Sequence, residues 1–381
     1  MATANSNTQE RSKALKEIAG VSLKLGSIGF GGIAGVVATI EQELVVKRRW
    51  IDHQHFMDVL SASYIIPGPN AVEMMMHCGK ERGGRLGLVV AGVCYILPAT
   101  VICLVFAYCY RQYSALPDVQ RFISGIRPAT TALVVGTVYR LATKTLKQNR
   151  VLLLLCLFVL AGSLYGVNEV LLILSAGVFY YLIHLSKGRL PLFTGALMVP
   201  LLAQAGSRFS NEKLFFIFLK IGAVLYGSGY VLFAYMDESL VRHNQWLTRQ
   251  QLTDAIAVGQ LTPGPILSSA TFAGYLINGV PGGVVATVAI FLPSFFISFF
   301  LHKLLSSARK SRALRIFLDG LSAASIAIIA AVGLRLMTTS LADWRSALIL
   351  AVCLAATLFI KKLNTAVVII TGGLLGFLLF H

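Results

Sequence analysis

Apolar residues in this chain come in long runs separated by short, mostly basic connections. The runs cover roughly 18–40, 56–78, 86–110, 122–141, 151–166 and 170–185, then 214–235, 252–276, 284–301, 316–337, 347–360 and 365–380, with a shorter piece at 190–205 between the two sets. Runs of this length with few charges predict membrane helices. Two are interrupted in the same way. Pro67-Gly68-Pro69, followed by Asn70, breaks one, and Thr262-Pro263-Gly264-Pro265 breaks another. Proline lacks an amide proton and pushes its predecessor out of the helical region, while glycine accepts almost any backbone angle. In hydrocarbon such a break frees backbone groups that need partners, so it is tolerated only against protein or a wet cavity. The first run is also expected to be broken or thinned, because Gly26, Gly29, Gly31, Gly32 and Gly35 crowd it.

The halves repeat each other. Pro263 follows Pro67 by 196 positions (263 − 67), and the same offset relates Lys220 to Lys24, Gly222 to Gly26, Gly227 to Gly31, Trp246 to Trp50 and Asp254 to Asp58. Further on the offset is one less, relating Pro293 to Pro98, Gly320 to Gly125 and Arg335 to Arg140. A constant offset over so many unusual residues is an internal duplication. Basic residues precede the first segment of the first copy (Arg11, Lys13, Lys16) and follow its second (Lys80, Arg82, Arg85) and fourth (Lys144, Lys147, Arg150). In the second copy they follow the third and fifth (Lys303, Arg309, Lys310, Arg312, Arg315, Lys361, Lys362). By the positive-inside rule the copies lie in the membrane in opposite senses. The expected fold is therefore an all-α polytopic membrane protein of two inverted-topology repeats with Pro-Gly-Pro-interrupted helices. Residues 1–17 form a cytoplasmic lead, 18–186 the first repeat, 187–211 a linker with an extra membrane helix, and 212–381 the second repeat. Either the Pro-Gly-Pro segments cross, or they dip in and return; Lys47-Arg48-Arg49 favours the return.

Composition narrows the class. Of 381 residues, 56% are hydrophobic and 13% charged, and the mean hydropathy is +0.75. The net charge of +17 belongs to connections facing cytoplasm and lipid headgroups, so nucleic acid is not an expected partner. The lead has no apolar core with a small-residue cleavage site, so insertion through the first apolar run is expected. The six cysteines form no CxxC pair and read as small buried hydrophobes. No phosphate loop, HExxH or cofactor motif is present, so neither catalytic residues nor metal nor cofactor is expected. His53 and His55 share only the spacing of a metal pair and read as an ordinary loop.

Inverted repeats with interrupted helices are transporter architecture, with the site where the copies meet. An ionisable side chain deep in a membrane segment costs about 2.5–3.5 kcal/mol. Lys24 and Lys220 each incur it, beside Gly31, Gly32, Gly227 and Gly229. They are expected to meet around an anion; the alternative is that they snorkel or pair with Glu41, Glu43, Asp237 or Glu238. The break residues Pro67, Gly68, Pro69, Asn70, Thr262, Pro263, Gly264 and Pro265 are expected to line the pathway, with backbone N–H donors from freed helix N-termini. Coupling or pairing roles are open for Glu41, Glu73, Asp237, Asp58, Asp254, Arg140 and Arg335. Asp58 and Asp254 read first as caps or partners of Arg48 and Arg49, Trp50 and Trp246 as interfacial anchors, and Glu73 has Ser269 at the equivalent position of the other copy, so any carboxylate role would be asymmetric.

Gly29-Phe30-Gly31-Gly32, Lys47-Arg48-Arg49-Trp50, Pro67-Gly68-Pro69-Asn70-Ala71, Tyr226-Gly227-Ser228-Gly229-Tyr230-Val231 and Gln260-Leu261-Thr262-Pro263-Gly264-Pro265 together resemble the chromate ion transporter family over nearly the whole chain. Ile33 stands where that family usually has proline. The resemblance implies a multi-pass protein of the inner (plasma) membrane that exports chromate and confers chromate resistance, driven by membrane potential or sulfate exchange. It leaves uptake or exchange of sulfate or another oxyanion as the alternative, and a channel or an oxyanion-converting enzyme as remoter ones. One chain carries both copies, so a monomer suffices in principle and a homodimer remains open.

Overall fold

The computed structural model describes residues 2–29, 32–63, 67–146, 149–185, 209–300, 311–341, 343–360 and 363–380. Within them the first repeat comprises α1 (Ala2–Ile28), α2 (Gly32–Glu41) running into a π-helical turn (Gln42–Lys47), α3 (His53–Ser63), α4 (Asn70–Tyr113), α5 (Pro117–Thr145), α6 (Arg150–Leu164) and α7 (Glu169–Leu185). The second comprises α8 (Asn211–Val224), α9 (Val231–Met236) with its π-helical turn (Asp237–His243), α10 (Arg249–Leu261) and a 3₁₀ turn (Ile266–Ser268) leading into α11 (Ser269–Phe300). It closes with α12 (Arg312–Ser340), α13 (Trp344–Phe359) and α14 (Thr365–Leu379). The chain is an all-α, multi-pass membrane protein. Asn70–Tyr113, Ile266–Phe299 and Arg312–Ser340 are each long and apolar enough to cross a bilayer. The expected helix at 190–205 lies outside the described residues, as do Gly31 and the basic residues Lys147, Lys303, Arg309, Lys310, Lys361 and Lys362.

The duplication extends to backbone detail. Arg49 and Gln245, 196 positions apart, are the described non-glycine residues with positive φ, at 53° and 54°. Each follows a π-helical turn and precedes a tryptophan whose amide donates to a leucine carbonyl at 2.8 Å, Trp50 to Leu44 and Trp246 to Leu240. Gly68 and Gly264 share positive φ, as do Gly84 and Gly279.

Both long helices are folded. α4 contains Gly83 (φ −134°, ψ 16°) and Gly84 (φ 64°, ψ −154°), and α11 contains Asn278 and Gly279 in nearly the same conformations. In a straight helix residues 79 and 87 would stand about 12 Å apart. Here a Cβ on Gly79 would lie 2.5 Å from the Gly87 carbonyl oxygen, and one on Gly92 would lie 2.8 Å from Met76. The limbs 70–82 and 85–113 therefore run antiparallel. Thr271 and Thr287, whose hydroxyls are 2.7 Å apart, close the equivalent fold in α11.

The breaks fold the chain back too. His55 at the start of α3 comes within 3.7 Å of Glu81 at the far end of the next limb, so these limbs return to one end with Pro67–Pro69 at the tip. In the preceding hairpin, Lys24 on α1 meets Glu43 at 3.0 Å and Glu17 meets Arg48 at 3.0 Å, which puts Gly29 and Gly32 at its tip. Its counterpart in the second half is held by Lys213 and Asn244 at 2.5 Å. His53 and His55 head α3 instead of lying in a loop.

Packing follows the duplication and crosses between copies. α1 packs on α4 as α8 packs on α11, while α5 packs on α14 and α12 on α7. Lipid tails are as apolar as leucine, so helices associate through close fit rather than hydrophobic expulsion. A Cβ on Gly125 of α5 would stand 2.6 Å from Gly376 Cα of α14; only glycine permits that approach. Tyr95, Tyr235, Phe56, Phe218, Phe233 and Phe272 fill the space between, all buried.

Candidate functional site

The hairpin tips meet across the repeats. The Gly264 amide donates to the Gly29 carbonyl at 3.0 Å, and a Cβ on Gly264 would stand 3.1 Å from Ala99 Cβ on α4. In the reciprocal contact Gly68 lies against Ser294 on α11, where any added Cβ would collide with the Ser294 hydroxyl and lie 2.7 Å from Glu73 Oε1. Ala99 and Ser294 are themselves copies, 195 positions apart (294 − 99). Each Pro-Gly-Pro break is thus lodged against the other copy.

Polar side chains gather at this junction despite its burial. Glu73, Tyr95, Thr262, Ser268, Ser294, Ser298 and Gln260 are all buried. Thr262 Oγ1 stands 3.5 Å from Cys103 Sγ and donates to the Val258 carbonyl at 2.7 Å. The Tyr230 hydroxyl, just beyond Gly229, donates to Gln260 Oε1 at 3.1 Å. Among the described residues, both Glu73 carboxylate oxygens, Tyr95 Oη, Gln260 Nε2 and the hydroxyls of Ser268, Ser294 and Ser298 have no hydrogen-bond partner at good geometry. Buried polar groups are almost always paired. The hydroxyls and the Gln260 amide at a helix break, with α4 beginning just after Pro69, suit an anion whose oxygens accept from them.

For Lys24 the structure takes the alternative read from sequence, a pairing with Glu43. Lys24 and Lys220 both lie on exposed faces, and the Lys24 ammonium is held by Glu43. Glu43 also receives Arg48 at 3.1 Å and Lys47 at 3.4 Å. The hydrogen bond from Lys24, helped by Arg48, holds its carboxyl below the usual range against burial. For Glu17 burial acts upward but is outweighed by hydrogen bonds from Trp50, Arg82 and Arg48, so its carboxyl too is held low. Trp50 is tied to Glu17 at 3.2 Å.

Two further charge clusters join the copies, and both correct the pairings read from sequence. Asp254 is bound by Arg127 and not by Arg48 or Arg49: Nε and Nη2 donate at 3.0 and 2.9 Å, and Tyr110 Oη donates at 2.8 Å. A cavity of about 350 Å³ beside it is lined by Tyr110, Ser114, Gln120, Ser124, Arg127 and Gln250. Arg335 bridges Glu169 of the first copy at 3.3 Å and Asp237 of the second at 3.2 Å, and donates to the Ser163 carbonyl; Arg249 adds a bond to Asp237 at 3.3 Å. Its copy Arg140 is exposed and bonds the Thr137 hydroxyl at 3.3 Å. Glu41 is taken by His53 at 2.7 Å. Arg127, Tyr95, Tyr110, Glu169 and Ser294 were not singled out in the sequence; the one signal was an arginine beside Pro128 inside an apolar run. Among the described residues no His, Cys, Asp and Glu cluster could hold a metal ion.

The sequence model described as "Chromate transporter" matches residues 16–181 and again 212–377, one match per structural copy. The chromate transport protein of Cupriavidus metallidurans is 28% identical over 95% of this chain and 92% of its own length. The probable chromate transport protein of Synechococcus elongatus is 28% identical over 95% of each, and the chromate transport protein of Pseudomonas aeruginosa 27% identical over 94% and 91%. No solved structure matches significantly. With the matches spanning both copies and nearly the whole length of these relatives, the chain belongs to the chromate transporter family.

Proposed function

We propose that this protein is a secondary transporter of the plasma membrane that exports chromate, a tetrahedral dianion, by alternating access. Its repeats would lie inverted in the bilayer, as the displaced basic residues of the two copies imply. α3 has 11 residues and α10 has 13, about 16 and 20 Å at 1.5 Å per residue. Neither spans a hydrocarbon core about 30 Å thick, so the Pro-Gly-Pro hairpins enter and return with their tips near the midplane.

The observation that carries this reading is the reciprocal contact of the tips, Gly264 on Gly29 and Gly68 on Ser294. Rocking one copy against the other would part those contacts on one side at a time. The dianion would be received by the break residues Pro67–Asn70 and Thr262–Pro265, by Gly32, Gly227 and Gly229 at the neighbouring tips, and by the unpaired hydroxyls. Lys24 and Lys220, on the limbs leading to the tips, would draw it inward as a matched pair. With about 100 mV inside negative, moving two negative charges outward gains roughly 4.6 kcal/mol; exchange for sulfate would cancel that gain.

The test is transport of labelled chromate in vesicles of the purified protein under imposed potential and sulfate gradients. Export predicts potential-driven movement with the oxidation state of chromium unchanged, or acceleration by sulfate on the opposite side. Lys24→Gln with Lys220→Gln is expected to lower the rate at least tenfold. Unchanged transport in that double variant would remove the lysines from the mechanism, and absence of chromate movement in the wild type would refute the function.

A further inference from the structure

The unpaired carboxylate at the tip junction carries an inference that rests on the oxyanion-transport reading and adds a second ligand to it. We propose that Glu73 is a proton-binding site whose occupancy is linked to that of the oxyanion, so that the protein takes up a proton when it takes up its substrate.

Glu73 sits in the first turn of α4, directly after Pro67–Pro69, and is fully buried. Among the described residues, neither of its oxygens has a hydrogen-bond partner at good geometry. The polar side chain that faces it is Ser294, from the other copy. A structural role is met differently at the equivalent position, where the Ser269 hydroxyl donates to the Ile266 carbonyl at 2.8 Å and leaves nothing to titrate. Glu73 satisfies no such backbone group. The site has therefore kept a carboxyl group where a hydroxyl serves the fold.

Most charged groups on the elements around it are engaged in other pairs. On its own helix His77 follows one turn on, with Cys78 beside it, both buried. From α11 come the hydroxyls of Ser294 and Ser298. On α1, Lys24 is bound to Glu43, and Glu17 to Arg48, Arg82 and Trp50. Glu41 on α2 holds His53, and His55 on α3 faces Glu81. Asp58 lies on an exposed face of α3, and Asp254 on α10 is bound by Arg127. Among the described residues no cation forms an ion pair with Glu73.

A bare carboxylate in a dry interior is strongly disfavoured, so with the tips closed Glu73 holds a proton. The N-terminus of α4 favours the opposite form, so wetting of the tip releases the proton instead of leaving the acid permanently neutral. An ionised Glu73 would repel a dianion a few ångströms away, whereas the neutral acid can donate to it. Proton and oxyanion therefore bind cooperatively. The chemistry is proton transfer alone: the carboxylate accepts H⁺ from water and returns it to water, with no bond formed to the substrate.

The experiment uses the full chain purified in detergent, with sulfate as first probe because it remains a dianion over the working range, and chromate as second. Titration calorimetry in buffers of different ionisation enthalpy counts protons taken up per anion. Above the pH at which Glu73 ionises in the free protein the wild type is expected to take up about one, with affinity falling roughly tenfold per pH unit; below it, where the acid is already protonated, uptake is expected to vanish. Glu73→Gln is expected to bind with no uptake at that site and no pH dependence. Zero uptake by the wild type above the pH at which the Glu73 carboxyl ionises, or uptake unchanged in Glu73→Gln, overturns the proposal. Infrared difference spectra between wild type and Glu73→Gln across the pH range read the proton, and locate the pH at which it leaves, without any substrate. A protonated carboxyl band lost in the variant is expected, and Ser294→Ala should shift its frequency, a readout that does not need Glu73→Gln to fold. No band and no shift also overturn the proposal, while a band without binding of either anion would count against the transport reading and not against the protonated carboxyl.

Discussion

Replacing Gly68 by alanine tests the central contact most directly, because the structure separates its two costs. The first is conformational. Gly68 has φ +143°, a region that L-residues rarely enter, and holding alanine there costs roughly 1–3 kcal/mol. The second is steric. The new Cβ would collide with the Ser294 hydroxyl and stand 2.7 Å from Glu73 Oε1, an overpacking cost of about 1–3 kcal/mol. Two glycines serve as controls. Gly84 has φ +64° with nothing within 4 Å of its added Cβ, so Gly84→Ala bears the conformational cost alone; Gly20 is helical with equally open surroundings, so Gly20→Ala should stabilise by about 0.5–1 kcal/mol. Thermal midpoints of the purified variants in one detergent should rank Gly20→Ala above wild type, then Gly84→Ala, then Gly68→Ala. Ser294→Ala introduced into Gly68→Ala should recover most of the steric part and none of the conformational part, a coupling measurable as a double-mutant cycle. If Gly68→Ala proves as stable as Gly84→Ala, or Ser294→Ala fails to rescue it, the tips do not meet as described.

Arg335→Gln leaves Glu169 and Asp237 buried without their shared cation and should destabilise by about 3–5 kcal/mol, whereas Arg140→Gln at the equivalent position should cost less than about 1 kcal/mol; denaturation midpoints of the pair decide this. Glu17 and Glu43 have carboxyls held below the ordinary value of 4.5, so the stability they contribute is full above about pH 4.5 and is lost as the pH falls through their lowered values. Lys24→Gln should flatten the acid limb of a pH–stability curve, and an unchanged limb would contradict the Glu43 pairing. Asp343 caps α13 by accepting from the Ser346 amide at 2.9 Å, so Asp343→Ala should cost about 1 kcal/mol and Asp343→Ser much less, read from thermal midpoints.

Much of the architecture is legible along the chain because duplication and helix breaking are local properties. Matched Pro-Gly-Pro triplets and matched lysines are visible without knowing what they touch, and proline and glycine disrupt a helix whatever surrounds them. The pairings were less legible. A lysine facing an anion and a lysine paired to Glu43 leave the same trace in an apolar run, and hairpin geometry chose the second by bringing residues 24 and 43 together. Arg127 reached Asp254, not a nearer arginine, because the folded limb of α4, α5 and α10 converge from both copies.

The sequence by itself determined that this is a duplicated, helix-broken membrane protein with the motifs of an anion transporter family, since composition, spacing and offset need no third dimension. Only the tertiary structure decided that the breaks are the tips of returning hairpins and that each tip seats against the other copy. It also separated Glu73, buried at that junction with no ion pair among the described residues, from the carboxylates engaged in ion pairs. Burial and pairing depend on residues more than a hundred positions away, and no local pattern records which of them will arrive.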